Sequence, residues 1–114
     1  MPRARSPHEI DVFELKQRMD DGTAPLVLDV REAPELNICA IAGTKHIPMS
    51  EFERRFEAEL GGKRDEEIVI QCRSGQRSAQ VQGFLVHFGF TKTRNLAGGI
   101  LAWATAIDQT MKKY

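Results

Sequence analysis

Apolar residues recur along this chain at two periods, and the switching between them predicts the architecture. Leu26, Val27, Leu28 and Val30 form a nearly continuous apolar run interrupted by Asp29, and Ile68, Val69 and Ile70 form another within residues 67–71. Such runs suit parallel strands covered on both faces. Phe52, Phe56 and Leu60 instead follow at helical spacing, one buried stripe ended by Gly61 and Gly62. Shorter signals fill the intervals. Residues 8–10 predict a short first strand, and Asp11 with Glu14 a capping box for a helix ending near Asp21 and Gly22. Pro34 opens a short helix over 34–38, residues 45–47 predict a strand stopped by Pro48, and Ser50 with Glu53 a second capping box. A helix over 76–88 closed by Gly89, a strand over 92–96 and a helix over 99–107 complete the series. Strands alternating with helices at this spacing predict an α/β layer structure with a mainly parallel sheet. Ligand sites in such sheets lie beyond the carboxyl ends of the strands. One domain, residues 8–111, is expected between loose segments 1–7 and 112–114.

Composition narrows the class. At 114 residues the chain fits one compact domain that buries a core without a metal or disulfide. Lysine plus arginine equals aspartate plus glutamate at 16 each, so nothing favours nucleic acid or an anionic membrane surface. Two cysteines far apart, with no C-x-x-C pair and no histidine cluster at ligand spacing, argue against zinc or an iron–sulfur centre. The absence of an apolar run long enough for a signal peptide or membrane span sets the expected compartment as the cytoplasm.

The chemistry concentrates at Cys72. An apolar strand pattern ends there, followed by Arg73, Ser74, Gly75, Gln76 and Arg77, a short polar loop that opens a helix. Loop N–H groups and the positive end of the helix make an anion cradle, and flanking guanidinium groups add to it. Each of these lowers a cysteine pKa, so Cys72 is the expected nucleophile. Arg73 and Arg77 oppose the helix macrodipole, which points to an anionic ligand between them. Ser74 either donates to substrate or caps the next helix, and Gly75 and Gln76 contribute backbone N–H groups. Asp29 and Cys72 are expected to end neighbouring strands, which would bring Arg31 to the loop as well. The interval from Cys72 to Arg77 is one residue shorter than the phosphate loop of cysteine phosphatases, and Ser78 stands where those enzymes need arginine. A smaller ring of N–H groups suits a terminal sulfur atom rather than a phosphoryl group. Cys39, in the apolar run 38–42, is expected to be a core thiol. Gly98 and Gly99 are expected to let their backbone approach the active loop closely.

Four segments in order resemble the signatures of a single rhodanese (sulfurtransferase) domain: residues 26–32, Ile41-Ala42-Gly43 leading to Ile47-Pro48, Cys72 to Ser78, and 95–103. The run 34–39 and the Gly-Gly-Ile-Leu-Ala-Trp stretch look most like rhodanese domains fused to, or encoded beside, adenylyltransferases of molybdopterin and thiamine biosynthesis. The resemblance implies a rhodanese-like three-layer fold with helices on both faces of the sheet. It implies an Asp29-x-Arg31 pair that organises the site. The family often carries histidine where this chain has Ala40.

The implied activity is sulfur transfer by a covalent route. Cys72 takes the outer sulfur of thiosulfate or of a protein persulfide, holds it as a persulfide, and passes it to a thiol, cyanide or the activated carboxyl terminus of a sulfur carrier. No cofactor is required. The expected partners are a small anionic sulfur donor and a cysteine desulfurase or an adenylyltransferase with its sulfur-carrier protein. Ser74 is uncharged where thiosulfate enzymes often carry a cation, which favours a desulfurase persulfide over thiosulfate. The alternative is a rhodanese-fold module that docks a partner without turnover; relatives of that kind commonly lose the loop cysteine, which this chain keeps.

Overall fold

A computed structural model describes residues 3, 4 and 6–114; the expected loose segment 1–7 lies partly outside the described residues. Five strands, β1 (Glu9–Ile10), β2 (Leu26–Asp29), β3 (Lys45–His46), β4 (Ile68–Gln71) and β5 (Thr93–Leu96), form one sheet in the order β1-β5-β4-β2-β3. Every neighbouring pair is parallel. The helices are α1 (Val12–Asp20), α2 (Ala33–Leu36), α3 (Met49–Leu60), α4 (Gln76–His87) and α5 (Gly99–Ala106), with a 3-10 turn at Gly61–Lys63 that the sequence pattern did not indicate.

Strand alternation sorts the core into two layers. Leu28, Val30, Ile68 and Ile70 face α3 and α4, packing on the Phe52, Phe56 and Leu60 stripe and on Val81 and Leu85. Val27, Val69 and Leu96 face the other way, onto Val12 and Leu15 of α1 and Ile100 and Trp103 of α5. Both faces are therefore covered, which is why β2 and β4 carry apolar residues without alternation. Cys72 continues the Ile68 and Ile70 side of β4 and joins the α3/α4 layer, so its sulfur lies under the start of α4.

Caps decide where helices begin, and they differ in part from expectation. Asp11 does cap α1, accepting from the Glu14 N–H at 2.9 Å, but the Glu14 carboxylate turns to Arg94 instead of closing a reciprocal box. Ser50 does not cap α3. That helix starts two residues earlier, with Pro48 at its N-cap, and Ser50 donates its hydroxyl to Glu32 Oε1 at 2.5 Å. A carboxylate at the head of α2 therefore serves the first turn of α3, and only tertiary structure could bring the two together.

The connection from β5 into α5 positions the active loop. Gly98 and Gly99 take left-handed φ values of 78° and 60°. The Ile100 N–H donates to the Cys72 carbonyl at 2.9 Å and the Leu101 N–H to the Arg73 carbonyl at 3.1 Å. A Cβ on Gly99 would sit 2.4 Å from the Arg73 carbonyl oxygen and 2.7 Å from that of Cys72. The close backbone approach expected from the sequence is thus a clamp on the loop. Gly99→Ala should lower stability by about 1–3 kcal/mol, the range for a strained left-handed residue, measured as a lower urea midpoint at unchanged slope. Because the displaced atoms belong to the active loop, the folded fraction should also lose most of its Cys72 reactivity.

Candidate active site around Cys72

Cys72 follows β4 at the carboxyl end of the sheet and is 1 % exposed. Its Sγ accepts the N–H of Gly75 at 3.1 Å, the N–H of Ser78 at 3.4 Å and the Ser78 hydroxyl at 3.3 Å. The geometry follows from Gly75, whose φ of 108° reverses the chain into α4 and aims the first-turn N–H groups back at the strand end. Burial pushes the thiol pKa up, but the Ser78 hydroxyl and the N–H groups of Ser78, Gly75 and Ser74 outweigh it, and the net shift is downward. Cys72 is thus poised to ionise without a histidine base.

Ser78 is fully buried and links the sulfur to β5: its hydroxyl lies 2.6 Å from Asn95 Oδ1, and Asn95 Nδ2 donates to the Gly75 carbonyl at 3.0 Å. One hydroxyl proton serves both directions. With a neutral thiol, Ser78 donates to Asn95 and accepts S–H; with a thiolate it can turn its proton to sulfur. Sequence reasoning treated Ser78 only as the position where phosphatases keep arginine, and it passed over Asn95. β5 reads Thr-Arg-Asn-Leu, so no break in an apolar pattern set Asn95 apart.

The arginines stand differently from expectation. Arg77 is held in a forked pair by Glu35, at 2.7 and 2.8 Å. Arg73 donates from Nε to the Tyr114 main-chain oxygen at 2.7 Å, also reaches it from Nη2, and lies 5.0 Å from the centre of the Tyr114 ring. Neither guanidinium donates to the sulfur; hydrogen bonds within the loop and helix stabilise the thiolate. Ser74 is exposed, and Gly75, not Ser74, occupies the N-cap of α4. Gln76 is exposed at the first position of that helix.

Asp29 and Arg31 form a fully buried pair, with Arg31 Nη2 at 2.8 Å from Asp29 Oδ2. From there Arg31 donates to the Cys39 carbonyl at 2.9 Å and to the Tyr114 hydroxyl at 3.0 Å, and His46 Nε2 lies 2.6 Å from the Arg31 carbonyl. The pair thus fixes the segment that carries Glu35, an organising role as the Asp-x-Arg pattern implied. Cys39 is partly buried against the α1/α5 layer. The end of the chain is not loose: the Tyr114 hydroxyl donates to Glu35 Oε1 at 2.8 Å. No sequence pattern marked Glu35 or Tyr114 as part of the site.

A cavity of about 700 Å³ lies at the opposite end of the strands. It is lined by Arg18, Glu67 and Arg94, whose charges are mutually paired, and by no cysteine.

Residues 11–106 match the family model of the rhodanese-like domain. A sulfurtransferase of Allochromatium vinosum is 37 % identical over 97 residues, covering 85 % of this chain and 88 % of that protein. The adenylyltransferase and sulfurtransferase MOCS3 of Sus scrofa is 30 % identical, with 96 % of this chain corresponding to 28 % of the larger protein. The human single-domain sulfurtransferase TSTD1 superposes with a TM-score of 0.77 at 27 % identity, covering 89 % of this chain and 97 % of that one.

Two measurements test the site. Ser78→Ala should raise the pH midpoint of Cys72 alkylation by about one unit, the equivalent of a lost hydrogen bond to a charged group; Arg77→Ala should move it less, because Glu35 already offsets that charge. Glu35 provides the second. Its bond to Arg77 holds its pKa well below the carboxylate range, at about 2. A carboxylate depressed on folding contributes stability above its unfolded pKa, near about 4.3, and loses it as pH falls through its folded value. Chemical denaturation of wild type and Glu35→Gln should therefore give curves that converge between about pH 4.3 and about pH 2.

Proposed function

Because the chain belongs to the rhodanese-like domain family and is a rhodanese-type sulfurtransferase, we propose that Cys72 is the residue that carries the sulfur, in transit as a persulfide. The observation that carries this reading is the buried Cys72 sulfur facing two N–H groups and a hydroxyl, a cradle for a negative sulfur with no proton acceptor needed. The Cys72 thiolate attacks the outer sulfur of the donor. A new S–S bond forms as the donor's own bond breaks, and the leaving group, sulfite from thiosulfate or a thiolate from a protein persulfide, departs with the electron pair. The outer sulfur, now on Cys72, is placed where the Gly75 and Ser78 donors hold its charge. An acceptor thiolate or cyanide then attacks the outer sulfur and Cys72 leaves as thiolate. Towards the acyl-activated carboxyl terminus of a carrier protein the persulfide is instead the nucleophile, expelling the activating group to give an acyl disulfide. Two equivalents of a small thiol reduce this to the thiocarboxylate and free Cys72 as they become a disulfide.

Arg73 and Arg77 serve as rim contacts for the incoming donor, with backbone N–H groups of Ser74, Gly75 and Gln76 around it. The Glu35 and Tyr114 contacts are the groups a donor displaces to reach them. A cysteine desulfurase is the donor class, and an adenylyltransferase with its sulfur carrier the acceptor system; support comes from relatives in which a matching segment is one part of an adenylyltransferase and sulfurtransferase. The reading places the chain in the cytoplasm, where thiols return Cys72 to its reduced form. Among the described residues no helix is long and apolar enough to cross a membrane.

Treatment with thiosulfate or with a persulfidated desulfurase should add about one sulfur atom to the peptide containing Cys72, seen by intact-mass and peptide mass spectrometry and removed by cyanide. Cys72→Ser should abolish transfer and leave the fold intact, while Cys39→Ser should keep most activity. A sulfur adduct that forms on Cys39 in the Cys72→Ser protein at the wild-type rate would refute the assignment.

A further inference from the structure

Two of the three arginines around the site are matched by carboxylates, and the third, Arg73, meets the Tyr114 main-chain oxygen. Arg31 is neutralised by Asp29, and Arg77 is held by both oxygens of Glu35. The Glu35 carboxylate is fixed by two further contacts that do not involve Arg77, and its main chain by a third. It accepts the Tyr114 hydroxyl and the Glu32 N–H, and the Glu35 carbonyl accepts from Arg31. A carboxylate held from several sides is not simply trailing the arginine, since it would stay at the rim if Arg77 swung away. Glu35 therefore places a permanent negative charge beside the entrance to a buried thiolate.

We propose that Glu35 is the donor-specificity residue of this site: by matching Arg77 it discriminates against small free dianions such as thiosulfate and favours donors carrying at most one charge, of which a persulfide on a protein cysteine is the chemical class. The inference rests on the sulfurtransferase reading for its substrates, but not for its electrostatics. A dianion feels an added rim charge twice as strongly as a monoanion, and a neutral molecule does not feel it. The uncharged Ser74 acts in the same direction, because it supplies no cation to compensate. Glu35→Gln removes the charge and keeps one oxygen for Arg77 and the Glu32 N–H; its amide NH2 faces the Tyr114 hydroxyl as a donor and one limb of the Arg77 fork is lost, a change that the uncharged reagent reads separately.

The test compares three reagents of charge −2, −1 and 0 on the same sulfur: thiosulfate, iodoacetate and iodoacetamide, at a pH above the alkylation midpoint. In Glu35→Gln, kcat/KM for thiosulfate should rise about tenfold, the iodoacetate rate about threefold, and the iodoacetamide rate should be unchanged, with the gains shrinking as salt is added. Arg77→Gln should shift the two anionic rates the other way, and the double variant should return them towards wild type. Equal factors for all three reagents would mean that the loop or the thiol pKa had changed, and would overturn the proposal. Unchanged anionic rates in Glu35→Gln would overturn it too. The two readings fail separately: if no sulfur adduct forms from thiosulfate or a desulfurase persulfide, the sulfurtransferase reading falls, while the ratio of the two alkylation rates still decides whether Glu35 sets the charge selectivity.

Discussion

Everything about this site follows from placing a sulfur anion under the amino end of a helix, in a region that excludes water. A buried charge is costly unless donors replace its hydration. Here the replacements are fixed in advance: two N–H groups of the turn into α4 and one hydroxyl. Because those donors belong to the backbone and to a side chain locked by Asn95, they need little reorganisation when the sulfur becomes charged or changes partner. In the proposed reaction the same cradle serves the thiolate and the persulfide, both of which a two-step transfer needs.

Holding that cradle open is a packing problem, and the sheet solves it. Cys72 takes its direction from β4, whose other residues are locked between two helical layers. Its carbonyl and that of Arg73 are held by the start of α5, at a point where only glycine leaves room. The loop is thus gripped at its strand end by the sheet, from the side by Gly99, and at its helix end by the Asn95 bond to the Gly75 carbonyl. A short loop gripped at three points resists the widening that a tetrahedral group would need. This gives a physical basis for expecting sulfur rather than phosphoryl chemistry from a loop of this length.

Much of this was legible in the sequence, for a definite reason. The strands, the Phe52, Phe56 and Leu60 stripe, Cys72 at a strand end and the role of Gly99 all depend on local periodicity or on chain geometry that glycine alone permits, and these signals lie within a few residues. The parts that escaped depend on pairs distant in the chain. Arg77 meets Glu35 across 42 positions and Arg73 meets Tyr114 across 41. From sequence, both arginines looked like free cations beside the sulfur; in the structure each has a partner no local pattern could assign. The Ser50 cap failed for the same reason, since Glu32 offered its hydroxyl a charged acceptor that Glu53 did not.

The consequence is a division of labour between the inside and the rim of the site. Inside, the sulfur is stabilised chiefly by neutral dipoles, with the Arg77 charge acting on it only from a distance. At the rim, the proposed selection of donors falls to ion pairs, and such pairs in partial contact with water rearrange at small cost. Arg77 and Glu35 are each partly exposed, at 33 % and 20 % for their side chains, whereas Asp29 and Arg31 are sealed at 0 %. The sealed pair is therefore the scaffold and the half-open pair the adjustable element. A donor carried by a protein can displace the half-open pair with its own surface contacts, spreading the cost over an interface. A free dianion has to do so with its charge alone, against a carboxylate already in place.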